Sequence, residues 1–431
     1  MTRTATSMRP RIHPAWWVAA VAFLALLGAA GFRAAPGALM VPLHEEFGWS
    51  MSTMSLSVGI NLLLYGLVAP FAAALMDRFG MRQIIAGALT LVALGAGGST
   101  LMTASWQLHI FWGVLIGTGT GSMALVLAAT VANRWFVARR GLVMGVLTAG
   151  SATGQLIFLP PVAALAEDVG WRPASLVIAV AALAVAPIAW LVMRDHPHDR
   201  GVLPFGADPQ TWVPPAEVTG GAMGRAIDGL RFAARHKAFW ALALAFAICG
   251  ATTNGLIGIH FIPSAHDHGM SQTTAAGLLA LVGIFDIVGT IASGWLTDVF
   301  DPRWLLVAYY FFRGVGLLVL PLLLSDAVHP SMLLFIIVYG LDWVATVPPT
   351  AALCREIFGE QGTIVFGWVF AAHQIGAALA AFGAGVIRDT FGAYTWAWWG
   401  GAMLCVIASV LSFAVRREPV LEPESERVAV G

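Results

Sequence analysis

Residues 73–82 read AALMDRFGMR, and at a shift of 221, as from Asp77 to Asp298, residues 294–303 read GWLTDVFDPR. Each stretch joins two long apolar runs, and each carries an Asp followed by an Arg at the same distance (Asp77 and Arg82, Asp298 and Arg303). The correspondence extends outward in both directions. Gly37, Pro42 and Gly48 meet Gly258, Pro263 and Gly269, and Arg134 meets Arg355. At a shift of 222, Gly145, Gly154 and Gly170 meet Gly367, Gly376 and Gly392. Isolated glycine matches mean little in a chain with 47 glycines, but an offset held through four helix pairs marks an internal duplication.

Composition says what is duplicated. The chain has 431 residues, 58% of them hydrophobic and only 11% charged, with a mean hydropathy of +0.80. The charges fall in short clusters between apolar runs near 15–43, 52–77, 83–105, 107–133, 141–167 and 172–193, then 238–265, 273–298, 304–324, 331–354, 363–387 and 393–415. Each run approaches or exceeds the roughly 20 residues that a helix needs to cross a bilayer core. Lipid offers backbone groups no partners, and the alternation of barrel strands is absent, so these runs read as transmembrane helices. The fold class expected is an all-α polytopic membrane protein of about twelve helices in two six-helix bundles. The expected domains are an N-terminal bundle (1–193), a linker (194–237), a C-terminal bundle (238–417) and a tail (418–431).

Charge placement gives orientation. Of 23 Lys and Arg, Arg172 and Arg388 fall on one side and Arg33 and Arg313 within spans. The remaining nineteen lie on the side of both chain ends, which the positive-inside rule makes cytoplasmic. Arg3, Arg9 and Arg11 precede the first run, which is too long for a signal peptide and leads into further spans. The linker opens polar and rich in Pro and Gly, and closes on GRAIDGLRFAARHK (224–237), a surface-helix pattern. Zero net charge argues against nucleic acid as a partner. Cys249, Cys354 and Cys405 all sit in apolar runs without ligand spacing, so no metal and no cofactor is expected. A P-loop is absent, so ATP does not drive the protein directly, and no nucleophile–base pattern points to an enzyme.

Two six-helix halves of this kind resemble the major facilitator superfamily of transporters, which holds substrate between its halves near the midplane. AALMDRFGMR is similar to that superfamily's loop signature Gly-xxx-Asp-Arg-x-Gly-x-Arg, with Ala73 in place of the first Gly. VPLHEEFGWS (41–50), Tyr65-Gly66 and NRWFVARRGLVMG (133–145) resemble the monocarboxylate and oxalate:formate branch. The resemblance implies a bacterial inner-membrane symporter for a small organic anion, with lipid, the anion and a proton as partners, expected to be monomeric. It also implies a cytoplasmic gate in which Asp77, Arg82 and Arg134, and in the second half Asp298, Arg303 and Arg355, link the ends of neighbouring helices.

A charge near the bilayer centre costs several kcal/mol on the lenient insertion scale (about 2.5–3.5), so it should be paired or line a cavity. Arg33 in the first span is the expected anion ligand, because a guanidinium fork matches a carboxylate. Its repeat partner is the neutral Asn254. Asp286 in the eighth span matches the position at which the branch carries a proton-coupling Asp, although Thr290 stands where the branch has Arg. Arg313 and Asp342 are expected to pair with each other. His373 occupies the position at which oxalate:formate relatives carry Lys, and Asn61, Tyr65, Gln155 and His260 are further lining candidates. Export of a neutral or cationic molecule is the alternative reading, and a transporter-like sensor the alternative from another class.

Overall fold

The computed structural model describes residues 12–210 and 222–417. Arg3, Arg9, Arg11, the tail 418–431 and part of the linker lie outside the described residues. Among those residues the secondary structure is helical, apart from turns and one bridge between Phe136 and Phe205. Ten stretches are long and apolar enough to cross a membrane. One of them, Pro330–Phe391, folds back as two helices, and Arg140–Asp168 adds another, so the described residues contain twelve spans. These are α1 (Pro14–Phe47), α2 (Met51–Phe79), α3 (Met81–Ser99), α4 (Ser105–Trp135), α5 (Arg140–Asp168) and α6 (Trp171–Val192) in the first half. The second half holds α7 (Lys237–Asp267), α8 (Gln272–Val299), α9 (Pro302–Leu323), α10 (Pro330–Asp342 and Val347–Phe358), α11 (Gly362–Phe391) and α12 (Thr395–Ala414). Their outward faces expose Val180, Leu322 and Leu379, as lipid requires of a chain whose backbone is satisfied within its helices.

The halves meet along α2 with α11 and α5 with α8, and a helix at Ala222–Ala233 in the linker lies against α2 and α11. The indole N–H of Trp368 donates to the Ala226 carbonyl at 2.8 Å and fixes that helix to α11. Near the centre α1 crosses α7 at Gly37, where a Cβ would stand 2.9 Å from the Ile259 carbonyl oxygen, so only glycine allows the approach.

The face opposite the linker is held shut by one contact made twice. The Glu167 carboxylate, at the end of α5, accepts from the backbone N–H and hydroxyl of Thr273 at the start of α8 (2.9 and 2.7 Å). The Asp389 carboxylate, near the end of α11, accepts from the N–H groups of Met51 and Ser52 at the start of α2 (3.0 and 2.7 Å). Each places an anion on the unsatisfied donors and positive dipole end of a helix in the other half.

α10 is broken. Pro348 and Pro349 have no N–H to return to the carbonyls of Val344 and Ala345, so regular bonding stops between Asp342 and Val347. Neighbouring helices supply the missing partners. Ser293 donates to the Ala345 carbonyl at 2.5 Å, and Arg313 Nη2 donates to the carbonyls of Asp342 (2.7 Å) and Trp343 (3.4 Å). The N–H of Val344 donates to Asp286 Oδ1 at 3.0 Å. Arg313 Nε also pairs with Asp342 Oδ2 at 2.6 Å, both side chains being almost wholly buried.

Two outcomes follow from these contacts. Arg313→Ala leaves Asp342 buried and unpaired, which costs about 3–5 kcal/mol, whereas Arg313→Met with Asp342→Leu recovers only part of that loss, because the carbonyls of Asp342 and Trp343 still lack their donor; thermal unfolding of the detergent-solubilised protein reads the difference. Replacing Glu167 and Asp389 together by Ala weakens the closed face while Ser50 and Ser271 still cap α2 and α8. A cysteine at Asn61 is then labelled several-fold faster by an impermeant reagent applied from that face.

Candidate substrate site

Between the halves lies a cavity of about 720 Å³ that opens toward the linker face past Leu142 and Gly145 of α5. Its walls are mostly apolar, with Phe246, Phe370 and Trp343 the large aromatic groups. A second compartment of about 50 Å³ lies beyond it, bordered by Pro36, Asn61 and Ile259. Arg33, Asn254 and Trp343 line both spaces and so stand at the passage between them.

Arg33 is set there by the end of a helical run. The first segment of α1 stops at Ala34 and resumes at Pro36, whose ring removes an N–H, so the guanidinium projects just before a bend. Its Nη1 donates to the Tyr65 hydroxyl at 3.3 Å, and its carbon lies 4.8 Å from the centre of the Tyr65 ring. Among the described residues it makes no ion pair. Cation–π contact is worth about 0.5–2 kcal/mol, less than a charge at this depth costs on insertion scales, so the group retains demand for an anion.

Asn254 sits in the π-helical stretch Ala251–Ile257 of α7. Such widened turns are frequent at functional sites. Its amide Nδ2 faces His373 Nε2 of α11 at 3.4 Å. The His373 ring is stacked on Phe370 (interplanar angle 5°) and packed against Phe246, and it borders the cavity. Tyr65 is buried beside Phe370, and Asn61 donates to the Trp112 carbonyl at 2.7 Å on the wall of the small compartment. Gln155 falls on α5, and its side chain lies outside the described residues. Asp286 borders the cavity from α8, where Thr290 donates to the same Oδ1 that holds Val344 (3.0 Å for each bond).

Other expectations are not met in place. His260 does not reach the cavity; it is fully buried between α7 and α11, with Nε2 on the Ala381 carbonyl at 2.8 Å and its ring against Tyr394. Arg313 and Asp342, expected as a pair rather than as substrate ligands, bond each other and line neither compartment. At the linker face Asp77 bonds Arg134, joining α2 to α4 inside one half, and Arg82 stacks on Trp190 at 4.1 Å. The second half does not repeat this. Asp298 and Arg355 are both exposed and make no pair with each other among the described residues. Arg303 instead binds Asp301 (2.7 Å), and Arg417 joins Asp301 to Glu356. The Arg303 bonds hold the Asp301 carboxyl down to about 2. None of these pairs crosses between the halves, because at this face the halves stand apart around the cavity mouth.

Trp343, which lines both spaces, and Glu167 and Asp389, which join the halves at the closed face, are positions that sequence reasoning passed over. A signal for the acidic pair exists, since Glu167 and Asp389 are themselves related by the shift of 222. Trp343 carries no comparable mark beyond its place just ahead of a double proline.

Comparison with known proteins matches the whole architecture. The Major Facilitator Superfamily description fits residues 21–365 and again 248–430. The uncharacterized MFS-type transporter YcxA of Bacillus subtilis is 26% identical, over 97% of this chain and 98% of that protein. Monocarboxylate transporter 11 of Mus musculus is 26% identical over 88% and 82% of the two chains. Monocarboxylate transporter 13 of Bos taurus is 28% identical over 79% and 74%. Among solved structures, a bacterial homolog of the human lysosomal transporter Spinster, inward-facing and unoccupied, superposes with a TM-score of 0.70 at 17% identity, covering 95% and 98%. A D-xylose-proton symporter does so with 0.70 at 15% identity, covering 94% and 99%. A duplicated six-helix chain with a cavity between its halves, matched end to end in this way, belongs to the major facilitator superfamily and is a multi-pass membrane transporter, not an enzyme.

Proposed function

We propose that this transporter carries a small organic anion, a carboxylate, across a bacterial inner membrane by alternating access, with a proton carried on Asp286. The observation that supports this reading best is Arg33: a guanidinium at the passage between two compartments, with a tyrosine face beside it and no carboxylate paired to it among the described residues. An arriving carboxylate supplies the missing counter-charge through charge-assisted bonds. Asn254 and His373 offer further polar groups from the other half, so a bound anion touches both halves at once. The relatives named monocarboxylate transporters agree with this substrate class. Asp286 lines the same cavity and takes the proton on this reading, since its two hydrogen-bond donors, Val344 and Thr290, carry no charge. The chain ends and the linker face the cytoplasm, as the nineteen basic residues on that side favour. The protein works in the lipid bilayer as a monomer. Thr290 in place of a second Arg, together with the aromatic walls and Asp286, favours export of a neutral or cationic molecule as the second reading.

Uptake of a labelled organic-acid panel into proteoliposomes, with and without an imposed pH gradient, separates the two. Carboxylates are accumulated when the gradient is applied, and accumulation of cations alone overturns the anion reading. Arg33→Ala lowers carboxylate uptake about 10–100-fold, the loss expected when charged hydrogen bonds worth about 1.5–3 kcal/mol disappear. Wild-type uptake by that variant moves the anion site elsewhere. Asp286→Asn retains substrate binding, measured by ligand-induced thermal stabilisation, but no longer responds to the pH gradient. A full response in that variant removes Asp286 from coupling.

A further inference from the structure

The anchors of the broken helix α10 are not equivalent. Arg313 holds the carbonyls of Asp342 and Trp343 from a fully buried position on α9 that touches neither compartment. Asp286 holds the N–H of Val344 from α8 and does border the cavity. Between these two anchors stands Trp343, whose side chain lines both the large cavity and the compartment beyond Arg33.

We propose that Asp286 is a positioning residue for Trp343: its protonation is passed through the Val344 N–H to the indole that stands between the two compartments. The proposal rests on the reading of Asp286 as the proton-carrying group. An ionised carboxylate is the stronger acceptor for both donors that converge on Oδ1, and bonds to it lose about half their strength when it is neutralised. Val344 then has another acceptor to hand. In a regular helix its N–H would bond the Gly340 carbonyl, four residues back, which Trp343 now takes in a tighter turn at 3.1 Å. Closing that bond rewinds the chain at residues 342–344 and turns the indole about the helix axis. The prolines and the Ser293 bond to Ala345 keep the rest of the break open in both states. The charged groups facing Asp286 are Arg313 on α9 and Asp342 on α10, with Arg33 on α1 and His373 on α11 across the cavity. The cavity walls of α5 and α7 bring Thr148, Thr253, Asn254 and the thiol of Cys249, and no charge among the described residues.

The test is thiol labelling of Trp343→Cys in the full-length protein, reconstituted and exposed at the linker face to an impermeant maleimide. The native Cys249, Cys354 and Cys405 are buried, and unsubstituted protein gives the blank. Rates are divided by those of Leu142→Cys, an exposed position at the cavity mouth, which cancels the pH response of the thiol itself. The relative rate is expected to change about threefold or more between about pH 5 and about pH 8, and to stay flat once Asp286→Asn is added. An equal pH response with Asp286→Asn, or none in its absence, overturns the proposal. If Trp343→Cys fails to reach the membrane, Val344→Cys is read the same way. Flat labelling alongside proton-driven uptake sinks only this inference, whereas a labelling response without proton-driven uptake sinks the coupling reading and leaves the Trp343 link standing.

Discussion

A charge inside a bilayer has two stable settings: against a partner of opposite sign, or against water. This chain uses both. Arg313 and Asp342 take the first, and in doing so they supply the hydrogen bonds that a helix interrupted by two prolines cannot make for itself. Arg33 takes the second, at the passage between two hollows, with Tyr65 beside it and no carboxylate paired to it among the described residues. Two arginines of identical chemistry therefore have opposite roles, one closing a structural account and one leaving a charge unmet. Without the cavity Arg33 would be an unpaid cost, and without α9 the break in α10 would expose backbone groups to lipid.

The two halves share a plan but have diverged where the work is done. The approach of α1 to α7 at Gly37 and the anion-capped starts of α2 and α8 keep the duplication visible. Arg33 has become Asn254 in the second half. The Asp77–Arg134 pair has given way to a network around Asp301. α10 is broken where α4 runs on without interruption to Trp135. The unequal halves meet in one cavity, which the first half borders with Arg33 and the second with the interrupted stretch at Trp343 and Val344.

Much of this was legible in the sequence because the bilayer imposes one-dimensional rules. The spans, the duplication and the intramembrane charges all follow from hydropathy and offset, and the Arg313–Asp342 pair from the cost of leaving either alone. What escaped depended on direction within a helix. His260 and His373 read alike as lone histidines on apolar helices, yet one turns into the contact between α7 and α11 and the other toward Asn254. Trp343 was indistinguishable from the many tryptophans that pack or sit at interfaces, because its placement comes from an irregular turn. Asp298 and Arg355 matched their first-half counterparts by offset but not by partner, and the ion pairs described on this face of the second half run from Arg303 to Asp301 and from Arg417 to Glu356.

The closure opposite the linker has a consequence for comparing relatives. Glu167 and Asp389 draw on main-chain N–H groups, which every residue but proline provides, so Met51, Ser52 and Thr273 can drift without loosening the backbone bonds. Searches for positions that mutate in step, or for swapped charges between the halves, will find nothing there. The acid alone records the contact, and a proline arriving at the start of α2 or α8 is the change that would erase it.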